Sequence, residues 1–259
     1  LGHAMMASRR TFVRRGGRGL APLLCSRGYR VVPFDFRGHG GSGPPASIRV
    51  DWSYDDLVRE DVPAIVSALR DRFDGPIVLA GHSLGAHVTA AAIGTDRTSL
   101  DGLVLLAGNV WLPRLEPSLR RRARKTASLA AVLAIVTTMR KFPARALGIG
   151  SDDEARSYLA AFFRWWKGDA WTSDDGRDDY LASLARVRCP VLSIASEGDL
   201  LDCVPACAER FLDHVAAPDR TFHVVRGPDA PGHMQLVTDV ASEPAWTGVA
   251  SWLDERFTG

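Results

Sequence analysis

The chain has 259 residues, of which 46% are hydrophobic and 24% charged, a composition typical of one globular domain with a full core. Its formal net charge of +2 gives no electrostatic support for a nucleic-acid partner. The four cysteines form no C-x-x-C pair and no cluster with zinc spacing, so no metal site is expected.

Strands and helices alternate along most of the chain. Residues 20–27 and 55–72 read as helices, the second with an apolar stripe on one side, and residues 29–34 and 102–107 read as strands. Late helices follow over 204–215 and 244–257. This alternation predicts an α/β fold with a mostly parallel sheet and helices on both faces.

Residues 81–85 read Gly-x-Ser-x-Gly between an apolar strand over 77–80 and an alanine-rich helix. Strand, tight turn and helix form the context of a nucleophile elbow, in which the serine hydroxyl stands clear of the sheet. Ser83 is therefore the predicted nucleophile. The helix that starts near Leu84 directs free backbone N–H groups at the reacting centre.

An acid and a histidine follow the serine at the ends of later strands. A buried strand over 190–195 is followed by Asp199, and a strand over 221–225 is followed by a loop that ends at His233. Serine is a poor nucleophile at neutral pH and needs a base, which a carboxylate orients. Ser83, His233 and Asp199 fit these three roles.

A second motif, residues 34–42 (FDFRGHGGS), together with the elbow and the order serine, acid, histidine, resembles the α/β-hydrolase superfamily. The likeness is to serine esterases and lipases with a helical cap. It implies a three-layer α/β-hydrolase fold and a Ser-His-Asp triad that needs no cofactor or metal. Relatives carry one or two strands before the oxyanion loop, and these N-terminal strands look missing here.

The resemblance also implies the remaining machinery. The oxyanion hole would use the N–H of Leu84 and, by alignment on His3, the N–H of Met5. Relatives carry the acid in a G-x-x-D turn, which residues 196–199 match with serine in the first position. Asp202 is the alternative acid, because it follows the same strand.

Residues 109–186 break the alternation and are too long for one connection between neighbouring strands. In the family such an insertion forms a helical cap, which divides the chain into a core of 1–108 and 187–259 and a cap of 109–186. Within it, an apolar run over 127–139 is expected to pack between cap and sheet. Residues 152–154 are expected in the first turn of a helix that starts at Ser151.

The cap is rich in aromatic residues, and two or three of them facing Ser83 would make an apolar pocket. Trp165, Trp166 and Phe162 are the predicted substrate-binding residues. Were the substrate instead to carry an amine, Glu116 or one of residues 152–154 would be the first carboxylate to consider.

The predicted function is hydrolysis of a carboxylic ester of a small-molecule acyl substrate through an acyl-enzyme. Acyl transfer, aminopeptidase action and carbon–carbon bond hydrolysis use the same triad, and a non-catalytic hydrolase-like binding protein is a further alternative. No signal peptide and no membrane-spanning run are visible, and the cysteine pattern suits a reducing cytosol. The expected location is cytoplasmic, and the oligomeric state is open.

Overall fold

The computed structural model of the protein describes residues 1–13 and 17–258. Its strands are, in chain order, β1 (Val78–His82), β2 (Gly102–Leu106), β3 (Lys141–Phe142), β4 (Glu154–Ala155), β5 (Val191–Ser196) and β6 (Arg220–Val225). Its α-helices are α1 (Leu20–Ser26), α2 (Tyr54–Asp56), α3 (Val62–Arg72), α4 (Leu84–Gly94), α5 (Leu119–Met139), α6 (Arg156–Gly168), α7 (Tyr180–Ser183), α8 (Pro205–Leu212), α9 (Gln235–Thr238) and α10 (Glu243–Phe257). A π-helical segment, Leu57–Asp61, joins α2 to α3.

Four strands form a parallel sheet in the order β1-β2-β5-β6. The side chains of β2 alternate between two hydrophobic clusters: Leu103 and Leu105 belong to one, Val104 and Leu106 to the other. A parallel sheet is buried on both faces because its crossover helices cover both. Helix α4 packs in the first cluster, and α1 and α10 pack in the second. The predicted parallel sheet between two helical layers is thus confirmed.

The strand predicted over 29–34 does not form a ladder. Its backbone bonds to the first two residues of the chain: the amino group of Leu1 donates to Val32 O, and Phe34 N donates to Leu1 O. Gly2 bridges Phe34 on one side and Gly81 on the other. A ladder needs a run of paired residues, and among the described residues only Leu1 and Gly2 pair with 29–34.

The apolar run over 127–139 lies in α5, but it is not buried between the rest of the segment and the sheet. Within that run only Leu129 and Val136 are buried, and all four of its alanines are exposed. The two buried residues lie on one stripe at helical spacing, which is the face that packs against α6. The larger apolar residues Val132, Leu133 and Ile135 are half-buried, so the exposed alanines cost little apolar burial.

The helix predicted to start at Ser151 begins instead at Arg156. Glu154 and Ala155 form β4, which pairs antiparallel with β3. Asp153 contacts Lys141 Nζ at 2.6 Å and accepts a hydrogen bond from the backbone of Arg145 at 3.0 Å. These acidic side chains therefore bind tertiary partners rather than a helix N-terminus, which local sequence could not show.

Candidate active site

Ser83 occupies the sharp turn between β1 and α4. Its backbone angles are φ 52° and ψ −109°, a strained conformation for a residue with a side chain. The flanking glycines are needed for space. A Cβ on Gly81 would lie 2.3 Å from Ala86 N, and one on Gly85 would lie 2.4 Å from Gly2 O. The turn therefore has the geometry of a nucleophile elbow.

Asp199 and His233 form a short hydrogen bond, with 2.5 Å between Asp199 Oδ2 and His233 Nδ1. Burial alone would lower the pKa of His233, but the hydrogen bond and charge of Asp199 outweigh it and raise that pKa above its ordinary value. Conversely, burial would raise the pKa of Asp199, but the contact with His233 and backbone donors lowers it. Asp199 is therefore ionised and holds the imidazole.

The turn after β5 fixes the carboxylate of Asp199. Its Oδ1 accepts from the backbone N–H groups of Leu201 and Asp202, and its Oδ2 accepts from Cys203 N. The side chain of Asp202 has no hydrogen bond to His233, although the ligand-type atoms of all three titratable residues lie within 4.8 Å of one another. Burial raises the pKa of Asp202.

These three residues are also the one cluster with metal-ligand spacing within residues 1–13 and 17–258. Two of the three groups already engage each other in the 2.5 Å hydrogen bond. The arrangement is thus that of an oriented imidazole rather than of an open ligand set.

His82 ties the elbow to the loop that carries His233. Its Nε2–H donates to the backbone oxygen of His233 at 3.0 Å. Burial lowers the pKa of His82 to about 3, so the ring is neutral. Ser83 and His233 line the same cavity, although no hydrogen bond joins their side chains in the described part of the chain. Such contacts are often long before substrate binds.

The two expected oxyanion donors belong to α4 and to the N-terminal segment of the chain. Leu84 is the first residue of α4, where backbone N–H groups have no partner within the helix. Met5 lines the cavity together with Ser83. The segment before Met5 is held against the elbow, because Gly85 N donates to His3 O at 3.1 Å.

Two further contacts fix the segment that carries Met5. The ring of His3 donates from Nδ1 to Ala4 O at 2.7 Å and accepts at Nε2 from Phe36 N at 3.1 Å. Because burial lowers the pKa of His3 to about 4, this single-proton pattern persists at neutral pH. On the other side, Met6 N donates to Glu154 Oε1.

Glu154 is buried and is paired with His39 from the 34–42 motif. Nε2 of His39 lies 3.1 Å from Glu154 Oε1, and its Nδ1–H donates to Arg37 O at 2.9 Å. Burial would lower the pKa of His39, but the charge and hydrogen bond of Glu154 raise it to about 9. His39 thus holds the 34–42 loop by hydrogen bonds, and Glu154 also binds Met6.

A cavity of about 290 Å³ opens at these residues. It is lined by backbone and side-chain atoms of Ala4, Met5, Met6, Ser83, His87, Asn109, Trp111, Ser128, Leu129, Val132, Ile149, Leu159, Phe162, Asp202, His233 and Met234. Most of these side chains are apolar, and Asp202 is the one carboxylate in the lining. Glu116 is buried elsewhere, in ion pairs with Lys125 and Arg121.

Of the three aromatic residues predicted to bind substrate, Phe162 lines the cavity. Trp165 and Trp166 lie elsewhere: the indole N–H of Trp165 donates to Thr172 O at 2.7 Å, and that of Trp166 donates to Thr126 Oγ1 at 2.9 Å. Trp165 and Trp166 follow Phe162 by three and four residues, about one helical turn further along α6, so they share its side of the helix but pack beyond the cavity.

Sequence reasoning missed three cavity residues, namely His87, Asn109 and Trp111. A positional signal existed for the first two. His87 lies one helical turn after Ser83 and so shares its face of α4. Asn109 follows the end of β2, the strand beside the elbow strand, where parallel sheets place their sites. Trp111 is fixed by its N–H, which donates to Asp202 O at 2.9 Å.

A family model described as "Serine aminopeptidase, S33" matches residues 16–159. A curated relative, "Putative carbamate hydrolase RutD" of Escherichia coli O44:H18 (strain 042 / EAEC), is 29% identical over 238 residues, which are 88% of this chain and 83% of the relative. Within the described residues, every helix is too short or too polar to cross a membrane.

Solved structures of esterases and lipases share the fold. A monoacylglycerol lipase of Paleococcus ferrophilus superposes with a TM-score of 0.65 and 17% identity, over 98% of this chain and 93% of the lipase. A thermophilic esterase of Thermogutta terrifontis gives a TM-score of 0.64 and 20% identity, over 98% and 88% of the two chains. The fold is thus that of the α/β-hydrolases, as the sequence predicted.

Proposed function

The chain belongs to the α/β-hydrolase family described as serine aminopeptidase S33, and on that premise we propose that it cleaves a carboxylic ester, or a related acyl bond, with a Ser-His-Asp triad. In this proposal Ser83 is the nucleophile, His233 the base and Asp199 the acid. The observation that carries it is the 2.5 Å hydrogen bond between Asp199 and His233, whose ring lines one cavity with Ser83.

The proposed reaction has two steps. His233 holds its Nδ1 toward Asp199, so Nε2 takes the proton of Ser83 as Oγ attacks the carbonyl carbon, and then gives that proton to the leaving alcohol. The backbone N–H groups of Leu84 and Met5 bind the oxyanion. A water deprotonated by the same imidazole then hydrolyses the acyl-enzyme.

The substrate of this proposal is a small, largely apolar acyl compound. Residues 109–186 would act as a cap over a core of 1–108 and 187–259, because α5 supplies Leu129 and Val132 and α6 supplies Leu159 and Phe162 to the cavity. These side chains favour medium acyl or aromatic groups, since each buried methylene is worth about 0.8 kcal/mol.

A second candidate is cleavage of an acyl bond next to a substrate amine, as an aminopeptidase does. Asp202 favours it, because its carboxylate belongs to the cavity lining and forms no salt bridge with the residues that the structure describes. A substrate ammonium group would offset the effect of burial, which raises the pKa of Asp202, and would stabilise the ionised carboxylate. Aminoacyl p-nitroanilides compared with p-nitrophenyl esters separate the two substrate classes.

Labelling with a fluorophosphonate tests the nucleophile. We expect one covalent adduct on the unmodified protein and none on Ser83→Ala, because phosphonylation needs the activated hydroxyl. Hydrolysis of p-nitrophenyl esters should fall by about 10⁴-fold or more in Ser83→Ala. The measurements are intact-protein mass and initial rate.

Ser128→Ala is the matched control, because Ser128 lines the same cavity in α5. It should keep both the adduct and most of the rate. Labelling of Ser83→Ala would move the nucleophile to another residue. An unmodified, folded protein that neither reacts with the probe nor turns over esters would support the non-catalytic binding protein instead.

A further inference from the structure

His87 faces the cavity although its side chain is almost fully buried. It lies in α4 one turn after Ser83, has 3% of its surface exposed, and lines the cavity together with Phe162. The two ring centroids are 5.9 Å apart. The imidazole of His87 has no role in the proposed mechanism.

The hydrogen bond to Tyr54 determines which ring nitrogen of His87 carries the proton. The hydroxyl of Tyr54 lies 2.8 Å from His87 Nδ1, in a fully buried position among aromatic rings. Within the described residues, Nδ1 is the acceptor in reach of that hydroxyl. If Nδ1 were protonated, the phenolic hydrogen would be left buried without an acceptor, which is costly. Tyr54 therefore donates to Nδ1, and the proton of the ring is on Nε2.

The second nitrogen of the ring is directed into the cavity. Nε2 has no hydrogen-bond partner in the described parts of the chain. It is also absent from the polar atoms that are fully enclosed without a partner, so part of its surface is open at the cavity that His87 lines. Because burial lowers the pKa of His87 to about 3, the ring remains neutral with Nε2–H as a fixed donor.

A donor without a protein partner at a mostly apolar cavity indicates what a substrate would supply. We propose that His87 Nε2–H selects acyl chains that carry an acceptor oxygen, such as a keto or ether oxygen, over plain alkyl chains. This inference rests on the proposed function, because it concerns the acyl group bound to Ser83. Residues one helical turn apart have Cβ atoms about 6 Å apart, so the acceptor lies several bonds from the scissile carbonyl.

A matched pair of substrates tests this selectivity. p-Nitrophenyl 5-oxohexanoate and p-nitrophenyl hexanoate have the same leaving group and chain length, and the ketone is remote from the reacting carbonyl. We expect kcat/KM to favour the keto ester by about tenfold or more, because a site built around a buried donor discriminates against an analogue without the acceptor. An unmodified protein that prefers hexanoate would overturn the inference.

Variants assign the selectivity to His87. In His87→Leu the ratio of the two kcat/KM values should fall to near one, whereas His87→Gln, whose amide can donate, should keep part of it. The ratio is measured on one folded sample and is insensitive to the amount of active protein. Tyr54 is a positioning residue in this scheme, so Tyr54→Phe should lower the ratio without removing the imidazole. An unchanged ratio in His87→Leu would reject the assignment.

The tautomer and the binding step can be read without turnover. NMR of ¹⁵N-histidine-labelled Ser83→Ala should show His87 protonated at Nε2, and methyl 5-oxohexanoate should shift that signal whereas methyl hexanoate should not. Protonation at Nδ1, or equal shifts with both esters, would refute the inference even if esters prove not to be substrates. Absence of hydrolysis with a selective shift would refute only the proposed reaction.

Discussion

Asp199 and Asp202 are three residues apart, yet the turn between them gives them different surroundings. Asp199 accepts three backbone hydrogen bonds and faces Nδ1 of His233, whereas Asp202 faces the cavity. From sequence either could follow β5 as the acid. Which carboxylate meets the imidazole depends on the course of the loop before His233, a long-range relation that no local pattern contains.

We predict that Asp199→Asn lowers kcat by about 10⁴-fold, because an amide in place of the carboxylate favours the wrong imidazole tautomer. Asp202→Asn, the matched control, should lower it far less. The reverse ranking in steady-state assays would move the acid to Asp202.

The pH profile provides a second readout of the same pair. Hydrolysis needs neutral His233, so kcat/KM should rise with pH through the pKa of that ring. Since Asp199 raises this pKa more than Asp202 does, the acidic limb should shift further toward low pH in Asp199→Asn than in Asp202→Asn.

At the level of elements, short β4 links the 109–186 segment to the expected oxyanion loop. Its Glu154 accepts a hydrogen bond from Met6 N and pairs with His39. The neighbouring Asp153 instead pairs with Lys141, away from Met6. Two adjacent acidic residues thus offer a test of whether the loop is positioned by β4.

Glu154→Gln should therefore lower kcat more than it raises KM, because an oxyanion donor acts chiefly in the transition state. The decrease in kcat should be at least about tenfold and smaller than the roughly 10²–10³-fold decrease caused by removing one oxyanion donor. Asp153→Asn should leave kcat nearly unchanged. A raised KM with unchanged kcat in Glu154→Gln would argue against a role in positioning Met5.

Elements with local signatures were predictable. The β1–α4 elbow formed as expected because glycine spacing, an apolar strand and an alanine-rich helix all specify the same turn. The strand over 29–34 did not form, since strand formation depends on a partner elsewhere in the chain. Likewise, the start of α6 depended on the partners of Asp153 and Glu154 rather than on helix-capping preference.

The candidate site was likewise predictable where its residues have local sequence signatures and not where they depend on tertiary packing. Ser83, Asp199 and His233 could be proposed because each follows a strand in chain order. The cavity-lining residues of 109–186 could not be identified, because tertiary packing decides which turn of α6 lies at the cavity: Phe162 lines it, whereas Trp165, one turn further along, does not. His87 was not among the predicted site residues, and the position of its ring nitrogens follows from its contact with Tyr54, which only the structure shows.

For the whole molecule, buried histidines determine how stability responds to acid. Burial lowers the pKa of His3 to about 4, and of His82 and His87 to about 3. The unfolded chain binds protons at these residues below about pH 6.5, whereas the folded chain does not. Burial of these neutral rings therefore costs no protonation energy above about pH 6.5, and the free energy of unfolding decreases as pH falls below that value. Together the three histidines give the free energy of unfolding a slope of up to about 4 kcal/mol per pH unit.

His39 has the opposite effect on the pH dependence of stability, because its pKa is raised in the folded protein. Glu154 raises its folded-state pKa to about 9, so its stabilising contribution is complete below about pH 6.5 and is lost as pH rises from there through about 9. We therefore predict that the free energy of unfolding is greatest near pH 6–7 and falls on both sides. Urea unfolding followed by tryptophan fluorescence at pH 5, 6.5 and 9 measures it. Glu154→Gln should flatten the decrease between pH 6.5 and 9 while leaving the decrease toward pH 5 in place. A stability that rises steadily from pH 5 to 9 would show that the charged His39–Glu154 pair does not form in the folded protein.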